Sequence, residues 1–271
     1  MNQTQLVGFS TNDHSKVMYE NLLPHEFMER VNAFPVAYLP LGTLEWHGRH
    51  LPLGSDGIQS RGVFQRLAMK VGGVVLPMLF LGPDSRSIDK DGNICYGMDC
   101  HSFEAGQAQQ LAGSAYHIEE ERFADLLGTV MANLSRAGFK VVIGHGHGPS
   151  TKAFAAHKQD FADKYGLDTY NLWELGYGGD EGIQTDHAAA NETSLVMAIA
   201  PSLVDISQIA SDEIPVGIWG ADPRTFASAN EGDRLIEKNV ALAAQKLKQI
   251  MGNIPAPNLS LEYHAVKSLL R

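Results

Sequence analysis

Short apolar, β-branched runs alternate along this chain with longer segments whose apolar positions recur every three or four residues. Residues 34–41 (FPVAYLPL) form a continuous apolar run that stops at Gly42, the pattern of a buried strand. Residues 58–71 place Ile58, Val63, Leu67 and Val71 roughly on one helical face, and 73–81 (GVVLPMLFL) read as strand again. The clearest helix is 118–138, with Glu119, Glu120 and Glu121 in its first turn, where the helix dipole favours acids, and Gly138 at its end. A short buried strand follows at 139–143 (FKVVI). Ser150 then offers a cap for a helix reaching about Tyr165, and 167–172 are a further strand. Helices at 192–199 and 231–251 are expected to flank a strand at 215–219.

This β-α-β-α order predicts an α/β fold: a mostly parallel sheet covered by helices on both faces. No repeat, low-complexity tract or linker divides the chain, so residues 1–271 are expected to form one domain. The stretch 84–106 is charged, glycine-containing and weakly periodic, the signature of a long binding loop or lid. Asp84, Arg86, Cys95 and His101 lie within it; any of them could reach the pocket, and the loop's solvated face is the expected place for all four.

Composition narrows the function classes. With 21 Lys and Arg against 31 Asp and Glu the formal charge is −10, which argues against nucleic acid or an anionic membrane as partner. No apolar run approaches the roughly 18–20 residues that span a bilayer. The polar N-terminal stretch lacks the order of a secretory signal, and Cys95 and Cys100 form no CxxC, so reduced thiols in a cytoplasmic protein are expected. Eleven histidines, unevenly spread, are the unusual count.

Ligands gather beyond the carboxyl ends of strands in α/β sheets, and the unusual residues of this chain sit in the loops predicted there. After the first strand comes Gly42 to Asp56 (GTLEWHGRHLPLGSD); after FKVVI comes Gly144 to Ser150 (GHGHGPS); a third polar cluster runs from Asp186 to Thr193 (DHAAANET). Glu45, His47 and Asp56, joined by a histidine of the glycine-rich loop, would make a mixed nitrogen and oxygen ligand set suited to zinc, manganese or iron. Glu45 and His47, two apart on an extended segment, point the same way. Glycines flanking His145 and His147 allow close backbone approach.

LPLGTLEWHGRHLPLGSD resembles the opening signature of the creatininase family of metal-dependent amidohydrolases, G-S/T-x-E-x-H-G-x-H-L-P-L-x-S/T-D, without a gap from Gly42 to Asp56. The second family block, N-G-H-G-G-N-T, is similar to His145–Thr151, and the third, H-A-G-x-x-E-T-S, to His187–Ser194. A weaker likeness, GADP with ANEG, ends at Gly232, and the four blocks run in family order. The resemblance implies a three-layer α/β/α sandwich, homo-oligomeric and hexameric, acting on a small-molecule amide with two divalent metal ions per chain, Zn2+ first and Mn2+ or Fe2+ next. It makes Glu45, His47, Asp56 and His147 metal ligands, with Asp56 bridging, and His187 the catalytic histidine. Glu192 falls on a nearby acidic position.

The departures shape the expectation. His145, Pro149 and Ser150 replace Asn, Gly and Asn, and a shift of the block by two residues would make His145 the ligand in place of His147. Creatininase itself carries a glutamate ligand two residues after the block's histidine, where this chain has Pro149. Glu192 then either supplies the second metal's carboxylate or acts as base or orienting group beside His187; otherwise the second site is weak or empty. Ile183 stands where creatininase has a lid tryptophan, so creatinine is not the expected substrate. Trp46, Arg49, His50, His145, Trp173 and Tyr177 are substrate-binding candidates, the last beside a Gly-rich hinge. The expected reaction is hydrolysis of a non-peptide C–N bond in a small amide, lactam or formamide. Deformylase- or peptidase-like activity and a non-catalytic small-ligand binder are the alternatives.

Overall fold

The computed structural model describes residues 16–101, 108–212 and 216–260. The chain runs through α1 (Pro24–Ala33) into β1 (Val36–Leu41), all of whose residues are buried, then through α2 (Ser55–Val71) to β2 (Val74–Val75). A hairpin of β3 (Arg86–Ile88) and β4 (Ile94–Tyr96) follows, continued by a 3₁₀ turn at Gly97–His101. Then come α3 (Glu120–Arg136), β5 (Val141–Gly146), α4 (Gly148–Ala156), α5 (Lys158–Tyr165) and β6 (Asp168–Asn171). The short α6 (Leu172–Leu175), α7 (Ala190–Ile199), the short α8 (Pro223–Phe226) and the long α9 (Ala229–Met251) complete the order.

The central sheet is parallel throughout, in the order β2-β1-β5-β6. Alternate residues of its strands serve opposite layers. Val36, Tyr38, Val141 and Ile143 pack against Val63, Phe64 and Leu67 of α2 and Leu235, Ile236 and Leu247 of α9. Ala37, Leu39, Leu41 and Val142 meet Phe123, Leu127 and Met131 of α3 and Phe154 and Phe161 of α4 and α5. Each Val, Leu, Ile, Phe or Met side chain among them contributes about 1.5–3 kcal/mol when taken from water. The result is a single-domain, three-layer α/β/α arrangement. Among the described residues no helix is long and apolar enough to cross a membrane.

Strand order sets the place for a site. From β1 the chain moves outward to β2 and then returns on the other side as β5, so a crevice opens beyond the carboxyl ends of these two strands. Their register, with Leu41 opposite Gly146, brings the loop after β1 beside the residue after β5. His147 N–H donates to the Leu41 carbonyl at 2.7 Å and closes this junction.

Several expected elements differ. The strand at 73–81 shrinks to Val74–Val75, because Pro77 cannot donate to a ladder; only a single bridge, Leu41 to Leu79, continues it. α2 begins at Ser55, so Asp56 lies in its first turn and not in a loop. Ser150 is no cap: α4 starts at Gly148 with Pro149 beside it, a place that needs no N–H, and Ser150 is buried in its first turn. The expected continuous helix is divided at His157. At 216–219 there is a turn and one bridge from Trp219 to His187 in place of a strand, since Gly217 and Gly220 take positive φ; Pro215 lies outside the described residues. The 84–106 stretch is largely the β3–β4 hairpin, whose turn Asp89 closes by accepting from Asp91 N and Asn93 N; residues 102–106 lie outside the description.

Candidate metal centre

Five ionisable side chains converge in the crevice. Glu45 and His47 come from the loop after β1, Asp56 from the first turn of α2, His147 from the end of β5, and Glu192 from the first turn of α7. All five are buried. Asp56 stands at the centre, with Oδ1 3.3 Å from His47 Nε2 and Oδ2 3.1 Å from His147 Nδ1. Glu45 Oε2 lies 3.5 Å from the same His147 nitrogen, and Glu192 Oε2 3.6 Å from His47 Nε2. Two ligand clusters thus share Asp56: Glu45, Asp56 and His147 on one side, His47, Asp56 and Glu192 on the other, with the ligand atoms of each within 4.8 Å of one another. Glu45, His47 and His187 form a third, overlapping group.

The backbone and one amide hold these groups in place. Met98 N–H donates to Glu45 Oε1 at 2.8 Å, and Ala188 N–H to Glu192 Oε2 at 2.8 Å. His47 Nδ1 lies 3.1 Å from the Glu45 carbonyl, which calls for the proton on Nδ1 and leaves Nε2 facing Asp56. Gln184 Nε2 donates to both the carbonyl and Oδ1 of Asp56, at 3.3 and 3.1 Å; two acceptors on that side settle the amide's orientation. Gln184 sits at φ +53°, an uncommon conformation for a residue with a side chain.

The donor set fits a pair of divalent cations. Three buried carboxylates and two imidazoles supply oxygen and nitrogen ligands of the kind zinc, manganese and iron accept. Without a cation, protons must do the balancing. Burial, partly offset by His147 and His47, raises Glu45 to about 7, and burial with the neighbouring Asp56 drives Glu192 well above the carboxylate range. Burial opposes charge on both imidazoles, yet the carboxylates outweigh it: Asp56, Glu192 and Glu45 raise His47 to about 10, and Asp56, Asp84 and Glu45 hold His147 well above its ordinary value. Asp56 also resists burial and stays well below its usual range because of His47 and His147. Charges this close and this buried persist in proteins when paired or bound to metal.

His187 lies against the cluster, its ring 4.3 Å from that of His47 and its Nε2 2.9 Å from the Trp46 carbonyl. Burial and His47 bring it down to about 3, so the ring is neutral near pH 7. Asp186 caps α7 by accepting from Asn191 N and Glu192 N at 2.7 and 3.0 Å, which aims Glu192 at the centre. Glu192 bonds to Ala188 N–H and faces His47, and makes no hydrogen bond to His187.

A cavity of about 340 Å³ opens onto Glu45, Asp56, His147, His187 and Glu192. Its wall also includes Asp84, Gln184, Lys152, His101 and Trp219, a residue 51% exposed. None of the six expected substrate-binding residues lines it. Trp46 turns away and donates from Nε1 to the Val216 carbonyl; Arg49 is exposed elsewhere; His50 is buried and joins Thr193 Oγ1 at 2.9 Å. His145 is buried beneath the site with both ring nitrogens unpartnered and its ring edge-on to Trp173, while Tyr177 lies under Lys238. Asp84 and Cys95 are buried and not solvated, because the hairpin folds back over Glu45. Gln184 and Trp219 carried no motif, and only Asp84's place in a long charged loop marked it.

The chain matches the Creatininase (creatinine amidohydrolase) family over residues 20–247, a span containing every residue of the centre. It belongs to the creatininase family. This creatininase-family chain is 27% identical over 232 residues to creatinine amidohydrolase of Pseudomonas putida, covering 73% of the chain and 81% of that protein. It is 26% identical over 235 residues to the mycofactocin precursor peptide peptidase of Mycolicibacterium smegmatis, with 79% and 85% coverage. A crystal structure of creatinine amidohydrolase shares the fold with TM-score 0.61 at 21% identity, over 86% of this chain and 97% of the other. A manganese form of creatininase superimposes with TM-score 0.59 at 21% identity, over 86% and 98%.

Proposed function

We propose that this creatininase-family chain is a metal-dependent amidohydrolase that cleaves a non-peptide C–N bond in a small amide, lactam or formamide. The observation carrying this reading is the division of one carboxylate, Asp56, between two ligand clusters. Glu45, Asp56 and His147 would hold one ion, and His47, Asp56 and Glu192 the second; the geometry favours His147 over His145 and a ligand role for Glu192. Such a pair supplies Lewis acidity and a water acidified toward about pH 7.

The chain's residues supply the proton transfers. His187, neutral and tethered through Nε2–H to the Trp46 carbonyl, keeps the lone pair of Nδ1 for the reaction. It takes a proton from water as the oxygen bonds to the carbonyl carbon. It returns that proton to the nitrogen as the C–N bond breaks, leaving a carboxylic acid and an amine, and the acid's remaining proton passes to the amine to give carboxylate and ammonium. Gln184 holds the bridging carboxylate still. Trp219 offers an exposed indole face to a small planar substrate, and the cavity's size admits one. Ile183, at the position of creatininase's lid tryptophan, is fully buried, which speaks against creatinine itself.

A homo-oligomer, hexameric as in the family, belongs to the same reading; exposed Ile88 and Ile94, paired across the hairpin, are a suitable contact. The unpaired Cys95 and Cys100 suit a reducing, cytoplasmic setting. Elemental analysis of protein purified without chelator tests the proposal. Close to two equivalents of metal per chain, with amide hydrolysis lost to chelator and restored by Zn2+ or Mn2+, is the expected result. No bound metal after add-back would overturn it.

A further inference from the structure

We infer that Asp84 is a positioning residue that fixes the tautomer of His147, an assignment that rests on the proposed metal centre. The two nitrogens of His147 face opposite partners: Nδ1 meets Asp56 and Glu45, while Nε2 lies 2.9 Å from Asp84 Oδ2. Both side chains are 5% exposed, and neither Nε2 nor Oδ2 makes a hydrogen bond of good alignment, even to the other, so the 2.9 Å approach is an ion-pair contact between two otherwise unpartnered buried atoms. A nitrogen turned to a cation must carry a lone pair, which places the ring proton on Nε2, and Asp84 is the acceptor set there to receive it.

Asp84 is itself held by backbone. Its Oδ1 accepts from Ser85 N–H at 2.7 Å, so Oδ2 is the oxygen left for His147. The Ser85 carbonyl in turn accepts from Gly97 N–H at 2.9 Å, and the next amide, Met98 N–H, holds Glu45. Gly97 stands at φ +56°, and a Cβ there would collide with both Asp84 Oδ2 and Glu45 Oε1. The hairpin therefore clamps two carboxylates with one turn, one toward the centre and one behind its histidine.

The two substitutions D84N and D84A separate this role from a merely structural one. In D84N, Ser85 N–H keeps the amide oxygen, so the NH2 group faces His147 Nε2. That forces the ring proton onto Nδ1, where it blocks the cation. D84A leaves Nε2 free to donate to water and is the milder change. Titration of metal-free protein with Zn2+ against a competing chelator should show D84N weakened by about 10–100-fold, with D84A weakened less. The ¹⁵N spectrum of histidine-labelled, Zn2+-loaded protein should place the His147 proton on Nε2. Wild-type affinity in D84N, or D84A as weak as or weaker than D84N, would overturn the assignment while leaving the metal reading intact. Failure of the wild-type protein to bind Zn2+ would overturn both.

Discussion

His187 Nε2 lies 2.9 Å from the carbonyl oxygen of Trp46, the residue between two of the proposed ligands. One bond therefore sets the histidine's tautomer and ties it to the ligand loop. Burial and His47 keep the ring neutral, so Nδ1 accepts before it donates. Substitution of His187 by Ala should lower kcat by about 10²–10⁴ and leave metal equivalents unchanged. Stopped assays paired with elemental analysis check this; loss of metal with activity would instead make His187 a ligand.

Glu192 faces only the His47 side of the shared carboxylate, whereas Asp56 faces both. Glu192→Gln should release one of two ions on dialysis and retain the other; Asp56→Asn should release both. Equal retention in the two variants would contradict the division of the site.

Trp219 lines the cavity and is half exposed, with the His187 ring 6.2 Å away. Trp219→Ala should raise KM for planar amides about 2–10-fold, the equivalent of about 0.5–1.5 kcal/mol of ring contact, with kcat little changed. A saturated lactam should feel the change less. Identical shifts for both substrates would argue against stacking.

His145 is fully buried and unpartnered, and burial lowers it from 6.5 to about 3. Between those values the unfolded chain binds the proton and the folded chain does not. The contribution to stability is thus complete above pH 6.5 and is lost as pH falls toward 3. From pH 7 to 5 the loss is about 2 kcal/mol. Urea unfolding at both pH values should show a shallower dependence in His145→Leu than in wild type. An unchanged slope would mean that the ring is already protonated in the folded state.

Much of the fold is legible in the sequence. Apolar runs mark β1 and β5 because strands buried on both faces need no polar alternation, and α3 announces itself by acids at its start and glycine at its end. The hairpin was not legible, since strands of three residues carry too little periodicity, and the false strand near Trp219 came from reading apolar residues without the positive-φ glycines between them. In the site, residues two apart or within one motif could be nominated together: Glu45 with His47, Asp56 behind them, His147 and Glu192 in their own blocks. Asp84, Gln184 and Trp219 could not, for their neighbours are distant along the chain.

Residue type and local spacing were enough to specify the strand–helix alternation and a supply of carboxylates and imidazoles in the loops at one end of the sheet. Which atoms meet was settled by the packed chain. The parallel register of β1 and β5 sets His147 beside the Glu45 loop, and α7 delivers Glu192 to His47. The folded-back hairpin puts Asp84 behind His147. Local sequence governs backbone propensity over a few residues, but contacts between atoms a hundred positions apart exist only once burial of the two apolar layers has fixed the elements relative to one another.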